Sequence, residues 1–182
     1  MNYALIMVRF LEYFVLFIAT LLAQILIFNY IHIGTFANAN ILLLFVMLLP
    51  LELSRYLVLL LSALLGISFD FMTGSAGINT IALTFVGFVR SPLVVLFLGK
   101  KENTKRGVIT SERLGLNRVL IFISVIAFIQ NCIIFTLESL SMVDIIYTAI
   151  RIISSSIVSL LFIYMLHLIP YKGIKLNETS GR

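Results

Sequence analysis

The chain has 182 residues, of which 61% are hydrophobic and only 12% are charged, with a mean hydropathy of +1.13. Soluble domains carry about a quarter charged residues, so this composition excludes a water-soluble surface and indicates a membrane protein. The formal net charge of +5 does not indicate nucleic-acid binding, because the basic residues are dispersed at the ends of apolar segments, where membrane topology requires them.

The first apolar run, residues 10–28, is too long for the core of a signal peptide and lacks an Ala-x-Ala cleavage pattern. We therefore expect it to remain as an uncleaved first span. The single cysteine, Cys132, lies inside a later apolar run and has no partner for an internal disulfide. Its expected role is that of a small packing residue.

Each transmembrane helix needs about 20 apolar residues, because a helix rises about 1.5 Å per residue across about 30 Å of hydrocarbon. Pro50 ends the second apolar run, and Ser54 and Arg55 separate it from the third, which predicts a tight helical hairpin. The sequence predicts an all-α fold, a polytopic bundle of six transmembrane helices in one domain over residues 1–170, with a tail at 171–182. The predicted spans are residues 10–28, 36–51, 56–71, 78–98, 119–137 and 145–169.

The connections between these spans alternate in charge, and this alternation predicts their orientation. Residues 29–40 and 70–77 contain no Lys or Arg, and residues 138–144 are acidic. The basic residues outside the spans fall in the other connections and in the tail: Arg9, Arg55, then Lys100, Lys101, Lys105, Arg106, Arg113 and Arg118 in one loop, and Lys172, Lys175 and Arg182. Short loops rich in Lys and Arg stay in the cytoplasm, so both termini are predicted to be cytoplasmic.

The basic loop at residues 99–117 mixes Lys100, Lys101 and Arg106 with Glu102 and Glu112. One interpretation is a docking surface for a protein or for anionic membrane lipids, to which each basic residue contributes about 1 kcal/mol. We favour the simpler interpretation, a loop whose charges set the topology.

Ionisable groups inside a span are unfavourable by about 2.5 to 3.5 kcal/mol at its centre, so each one predicts a partner or a role. Glu12 lies one turn beyond Arg9, and an ion pair at helical spacing accounts for it. Arg151, two turns into the last span, can reach the interface or pair with Glu138 or Asp144. We expect structural roles for these residues.

Asp70 ends the third span and is followed by a turn with Gly74 and Gly77, and then by Asn79 at the start of the fourth span. We favour a structural role, in which the carboxylate accepts hydrogen bonds from the free N–H groups of the fourth helix. The alternative is contact with a ligand or partner in an outward-facing pocket.

Arg90 lies in the fourth span, two residues before Pro92. Because proline interrupts helical hydrogen bonding, we favour a helix that ends near Arg90, with the guanidinium at the inner interface. In the alternative, Arg90 is buried and paired, for example with a carboxylate of another span.

Small residues recur at four-residue spacing, which allows helices to approach closely in lipid. We expect these positions to pack against neighbouring helices. The pairs are Ala19 and Ala23, Ser62 and Gly66, Gly87 and Ser91, and Ser155 and Ser159.

Residues suited to catalysis or metal binding are few. The two histidines, His32 and His167, are far apart in the sequence, and no motif with metal-ligand spacing is present. The turn around Ser75 does not fit G-x-S-x-G. We therefore expect a protein that is not an enzyme and that uses no cofactor or metal.

The stretch from residue 49 to residue 90 carries a more specific pattern. LPL at 49–51 precedes an apolar helix that ends in LLGISFD at 64–70; INTIAL at 78–83 and GF at 87–88 follow the glycine-containing turn. This pattern resembles the MreD family of bacterial rod-shape determinants, although many members carry His where this chain has Asn79.

The resemblance implies a non-catalytic subunit of the cell-wall elongation machinery in the bacterial plasma membrane. Its implied partners are an MreC-like protein, MreB, RodA and a class B penicillin-binding protein. The MreD fold is similar to that of the substrate-binding subunits of energy-coupling-factor transporters. This similarity implies an alternative, the capture of a vitamin in an outward pocket, with Ala19 and Ala23 as the docking motif for the energising module.

Overall fold

The computed structural model describes residues 3–28, 32–33, 37–38, 40–51, 53–97, 99, 116–139 and 145–168. Most of the predicted loop at 99–117, and the whole tail at 171–182, lie outside these residues. The helices are α1 (Tyr3–Ala23), extended by a π-helical turn (Gln24–Phe28), α2 (Leu42–Leu48), α3 (Arg55–Thr73), α4 (Ile78–Phe97), α5 (Leu116–Glu138) and α6 (Ile145–Leu168). Two short strands, β1 (His32–Ile33) and β2 (Ala37–Asn38), precede α2.

Within the described residues, five helical segments are long and apolar enough to cross a membrane. They coincide with the first, third, fourth, fifth and sixth predicted spans, so the prediction of a multi-pass helical membrane protein is confirmed. The segments are Leu11–Phe28, Arg55–Thr73, Ile78–Phe97, Asn117–Glu138 and Ile146–Met165.

The second predicted span, residues 36–51, does not form a long helix, and here the prediction was wrong. Its first part belongs to β2, which pairs antiparallel with β1 so that His32 lies opposite Asn38. Its second part forms α2, whose seven residues rise only about 10 Å. This length is about a third of the hydrocarbon thickness.

Side chains from distant helices explain why α2 begins so late. The backbone N–H of Ile41 donates to Gln24 Oε1 at 2.7 Å, and the N–H of Asn40 donates to Ser159 Oγ at 3.1 Å. The Asn40 side chain accepts from the N–H of Leu42 at 3.1 Å. In an interior without water, each backbone N–H group needs an acceptor. Because these side chains accept from the N–H groups of residues 40–42, no preceding helical turn is needed to pair them.

Residues 40–49 nevertheless carry the chain back along α1. The ring of Phe45 packs edge-on against Phe17 of α1 at 5.4 Å between centroids, and Ile41 meets Gln24 further along the same helix. At the other end of the segment, the carbonyl oxygen of Leu49 accepts a hydrogen bond from Arg90. The segment therefore runs antiparallel to α1 and ends close to the start of α3.

Helices α3 and α4 form an antiparallel hairpin with a very close backbone approach. A Cβ atom added to Gly66 would lie 2.5 Å from Thr80 Cα, and one added to Gly87 would lie 2.7 Å from Ser62 Oγ. Ser62 and Gly66 are both buried in this contact. Small residues at these positions allow the two helices to touch, as their spacing predicts.

The other small-residue pairs are placed differently. Ser155 and Ser159 of α6 are buried, Gly87 is buried in the hairpin, and Ser91 is half-buried. Ala19 of α1 is exposed and Ala23 is half-buried. Ala19 is thus not buried by another described helix of this chain, and its role in helix packing stays a prediction. Spacing alone shows that two residues share a helix face, but not which way that face points.

Candidate functional site

The α3–α4 hairpin carries a polar centre at each of its two ends. Asp70, Ser75, Asn79 and Thr80 form the first, which we call the Asp70 cluster. The second, the Arg90 cleft, is lined by Leu51, Leu53, Arg55, Val58, Gly87, Arg90, Ser91 and Val94. Asn79 and Arg90 are eleven residues apart on α4, which corresponds to about 16 Å along the helix. The candidate residues predicted from the sequence thus lie in two separate places.

The Asp70 carboxylate accepts hydrogen bonds from both the backbone and the side chains of the first turn of α4. Its Oδ2 accepts from the N–H of Thr80 at 2.8 Å and from the Thr80 hydroxyl at 2.7 Å. Its Oδ1 accepts from the Asn79 side-chain amide at 2.9 Å, from the Asn79 N–H at 3.3 Å and from the Ser75 hydroxyl at 2.5 Å. This is the capping arrangement that the sequence favours, and it places a negative charge at the positive end of the helix dipole.

The turn that brings these groups together depends on two glycines. Gly74 follows α3 with φ of 69°, and its N–H donates to the carbonyl oxygen of Asp70. Gly77 has φ of 83° just before α4 begins. Glycine adopts these left-handed conformations without the steric penalty of a side chain. Gly74, Gly77 and Asn79 therefore share the site of Asp70.

The Asp70 cluster is arranged to fix the hairpin. Asp70 is only 5% exposed, and five donors from the turn and from α4 converge on its two oxygens. A carboxylate saturated by donors of its own chain has little capacity left to bind a ligand. The geometry therefore supports the capping interpretation more than the pocket interpretation.

Arg90 is buried rather than interfacial, so the favoured sequence interpretation was wrong. Its side chain is 5% exposed, and Nη2 donates to the carbonyl oxygen of Leu49. Helix α4 continues through Pro92 to Phe97 instead of ending near Arg90. A helix within a packed bundle tolerates proline because neighbouring groups compensate for the lost hydrogen bond.

The partner of Arg90 also differs from the carboxylate that the buried alternative suggested. Among the described residues, the guanidinium has a backbone carbonyl as its hydrogen-bond acceptor, and Nε has no partner. The cleft beside it encloses about 20 Å³, which is room for one water-sized group. Arg90 thus lines a small cleft, while its buried Nε has no acceptor among the described residues.

Arg151 is paired, in agreement with one of its two predicted alternatives. Its Nη2 lies 3.1 Å from Glu138 Oε2 in an ion pair that is partly exposed. The guanidinium also lies over the ring of Phe135, 4.5 Å from the centroid. This contact joins the end of α5 to the start of α6 and accounts for a charged residue inside the last span.

Buried amides of the interior were missed by sequence reasoning. Gln24, Gln130 and Asn131 are each less than 5% exposed. Gln24 holds the start of α2, and Asn131 donates to Ser156 Oγ of α6 at 3.3 Å. In the sequence, each of these residues is an uncharged amide within an apolar run. The presence of such an amide could have predicted a buried hydrogen bond, but only ionisable residues were considered for this role.

Several other predictions concern side chains outside the described part of the chain. These include the side chains of Arg9, His32 and His167, so the pairing of Arg9 with Glu12 stays a prediction. Where side chains are described, no three His, Cys, Asp or Glu residues come together as a metal site would require.

The fold and these two centres define a polytopic helical membrane protein with a polar centre at each end of its α3–α4 hairpin. No protein-family model, curated protein or solved structure matches the chain. The resemblance of residues 49–90 to the MreD family therefore stays a prediction.

Proposed function

We propose that this chain is a non-catalytic membrane scaffold subunit of the bacterial cell-wall elongation machinery and takes part in rod-shape determination. It would lie in the plasma membrane with both termini cytoplasmic and act with an MreC-like protein, alongside MreB, RodA and a class B penicillin-binding protein. The supporting observation is that the residues of the MreD-like pattern form one structural unit. Leu49 binds Arg90 at one end of the hairpin, and Asp70 joins α3 to α4 at the other.

The hydrogen bonds and the close packing within the α3–α4 hairpin support a role for the protein as a scaffold. The Asp70 carboxylate is occupied by its own chain, and glycine at positions 66 and 87 permits the close helix contact. These interactions give a rigid hairpin, which is a suitable base for holding partner proteins in register.

The hairpin also presents an apolar surface away from the bundle. Exposed large side chains recur along α3 at helical spacing, and we call them the α3 stripe: Tyr56, Leu60, Leu64, Ile67 and Phe71. Within a membrane such a stripe faces lipid or the transmembrane helix of a partner. We place the contact with the MreC-like protein on this stripe, because it belongs to the unit that carries the family pattern.

Depletion of the protein in its host tests the proposed function. Rod-shaped cells should become round or lyse, and re-expression of the wild-type chain should restore the rods. Affinity purification of the tagged full-length chain should recover an MreC-like protein. Normal cell shape after verified depletion would contradict the proposal.

Alanine variants locate the contact. Leu60→Ala combined with Ile67→Ala removes two side chains of the α3 stripe and should reduce recovery of the MreC-like protein. Ile153→Ala combined with Ile157→Ala is the matched control, because both residues are exposed to a similar degree on α6. Equal recovery with both pairs would show that the stripe is not the contact.

A second candidate function, the capture of a small molecule for an energy-coupling-factor transporter, has one supporting observation. Ala19 is exposed on α1 and the half-buried Ala23 lies one turn away, so the first residue of this small-residue pair is accessible to a separate protein. Native mass spectrometry of the purified chain distinguishes the two functions. A tightly retained vitamin-sized ligand would favour the transporter subunit, and its absence together with recovery of an MreC-like protein would favour the scaffold.

A further inference from the structure

We draw no further inference here: the strongest candidate, the side-chain amide of Gln130, which is buried on α5 and whose Nε2 has no acceptor among the described residues, carries nothing, because nothing in the described part of the structure shows what it would bind.

Discussion

Asp70 and Arg90 are both buried charged residues of one hairpin, yet their surroundings differ. Asp70 accepts hydrogen bonds from Ser75, Asn79 and Thr80, so its charge is spread over several donors. Arg90 meets one described acceptor, the Leu49 carbonyl oxygen, and keeps an unused donor. A carboxylate that is saturated by donors of its own chain stabilises that chain. This contrast supports a structural role for Asp70.

Removal of the Asp70 carboxylate should destabilise the protein. Asp70→Ala removes the acceptor of the Thr80 N–H and the nearer of the two acceptors of the buried Asn79 amide, which costs about 1–3 kcal/mol. Thermal unfolding of the purified protein in detergent should show a lower Tm. Ser68→Ala is the control, because the Ser68 hydroxyl donates only to Leu64 of its own helix. An unchanged Tm for Asp70→Ala would mean that the cap contributes little to stability.

The left-handed conformation of Gly74 predicts that alanine and asparagine at this position lower the stability of the protein to different degrees. Its φ is 69° and no atom lies within 4 Å of an added Cβ, so only backbone strain opposes a side chain. Gly74→Ala should lower stability by about 1–2 kcal/mol, the penalty for a left-handed residue. Gly74→Asn should lower it less, since asparagine tolerates this region better. The Tm values of the two variants measure the difference, and an alanine variant as stable as the wild type would contradict the strain argument.

At the scale of the secondary-structure elements, the sequence predicts those helices that are determined by their own residues and by the connections beside them. Helices α3 to α6 follow from long apolar runs separated by polar or glycine-containing connections. Helix α2 is different, because its start depends on Gln24 of α1 and Ser159 of α6. A hydropathy pattern contains no information on such contacts between distant segments, so residues 36–51 were assigned one continuous helix.

In the candidate site, too, features that depend on neighbouring residues could be predicted from the sequence, and features that depend on distant segments could not. The partners of Asp70 lie within ten residues of it, so capping could be predicted from the order of residue types. The partner of Arg90 is 41 residues away and is a backbone carbonyl, which every residue possesses. Nothing in the sequence marks Leu49 as that partner. Local chemistry was thus predictable, and the buried position of Arg90 was not.

The close contact between α3 and α4 predicts unequal effects of two glycine substitutions. Gly66→Ala places Cβ against the backbone of Thr80, which cannot rotate away. Because a backbone atom lies 2.5 Å from the added Cβ, we expect a cost in the upper part of the range of about 1–3 kcal/mol for overpacking, which exceeds the gain of about 1 kcal/mol from alanine's helix propensity. Gly87→Ala meets the Ser62 side chain instead. It should therefore have a smaller effect on the Tm.

A double mutant tests whether Ser62 opposes the side chain at position 87. In Gly87→Ala combined with Ser62→Ala, the hydroxyl that would lie 2.7 Å from the new Cβ is absent. The Tm cost of Gly87→Ala should therefore be smaller in the Ser62→Ala background than in the wild type. Equal costs in the two backgrounds would contradict this contact, and a Gly66→Ala variant as stable as Gly87→Ala would contradict the ranking.

At the scale of the whole molecule, the second segment, residues 40–49, still returns the chain along α1 although it contains only a short helix. Phe45 lies against Phe17, and Leu49 reaches Arg90 near the start of α3, so α1 and α3 point the same way. Asp70 joins α3 to α4 in an antiparallel hairpin, and Glu138 at the end of α5 pairs with Arg151 near the start of α6. Among the described residues, five segments are long enough to span the membrane as single helices. Cytoplasmic placement of both termini requires an even number of passes, and this parity stays a prediction.

Cysteine labelling tests this parity in the native membrane. In a Cys132→Ser background, single cysteines replace Ala76, Lys105 and Arg182, which fall in the α3–α4 turn, the basic loop and the tail. A membrane-impermeant maleimide should label the Ala76→Cys variant in intact spheroplasts, and the other two only after the membrane is opened, because cation-rich connections stay in the cytoplasm. Full labelling of all three after solubilisation is the control for thiol access. A fourth single cysteine replaces Asn2, because the second segment lies between this position and α3. With an even number of passes, the cysteines at 2 and 182 should both stay protected in intact spheroplasts. If residues 40–49 did not return the chain beside α1, the parity would be odd, and the cysteine at 2 would be labelled in intact spheroplasts while the cysteine at 182 stayed protected.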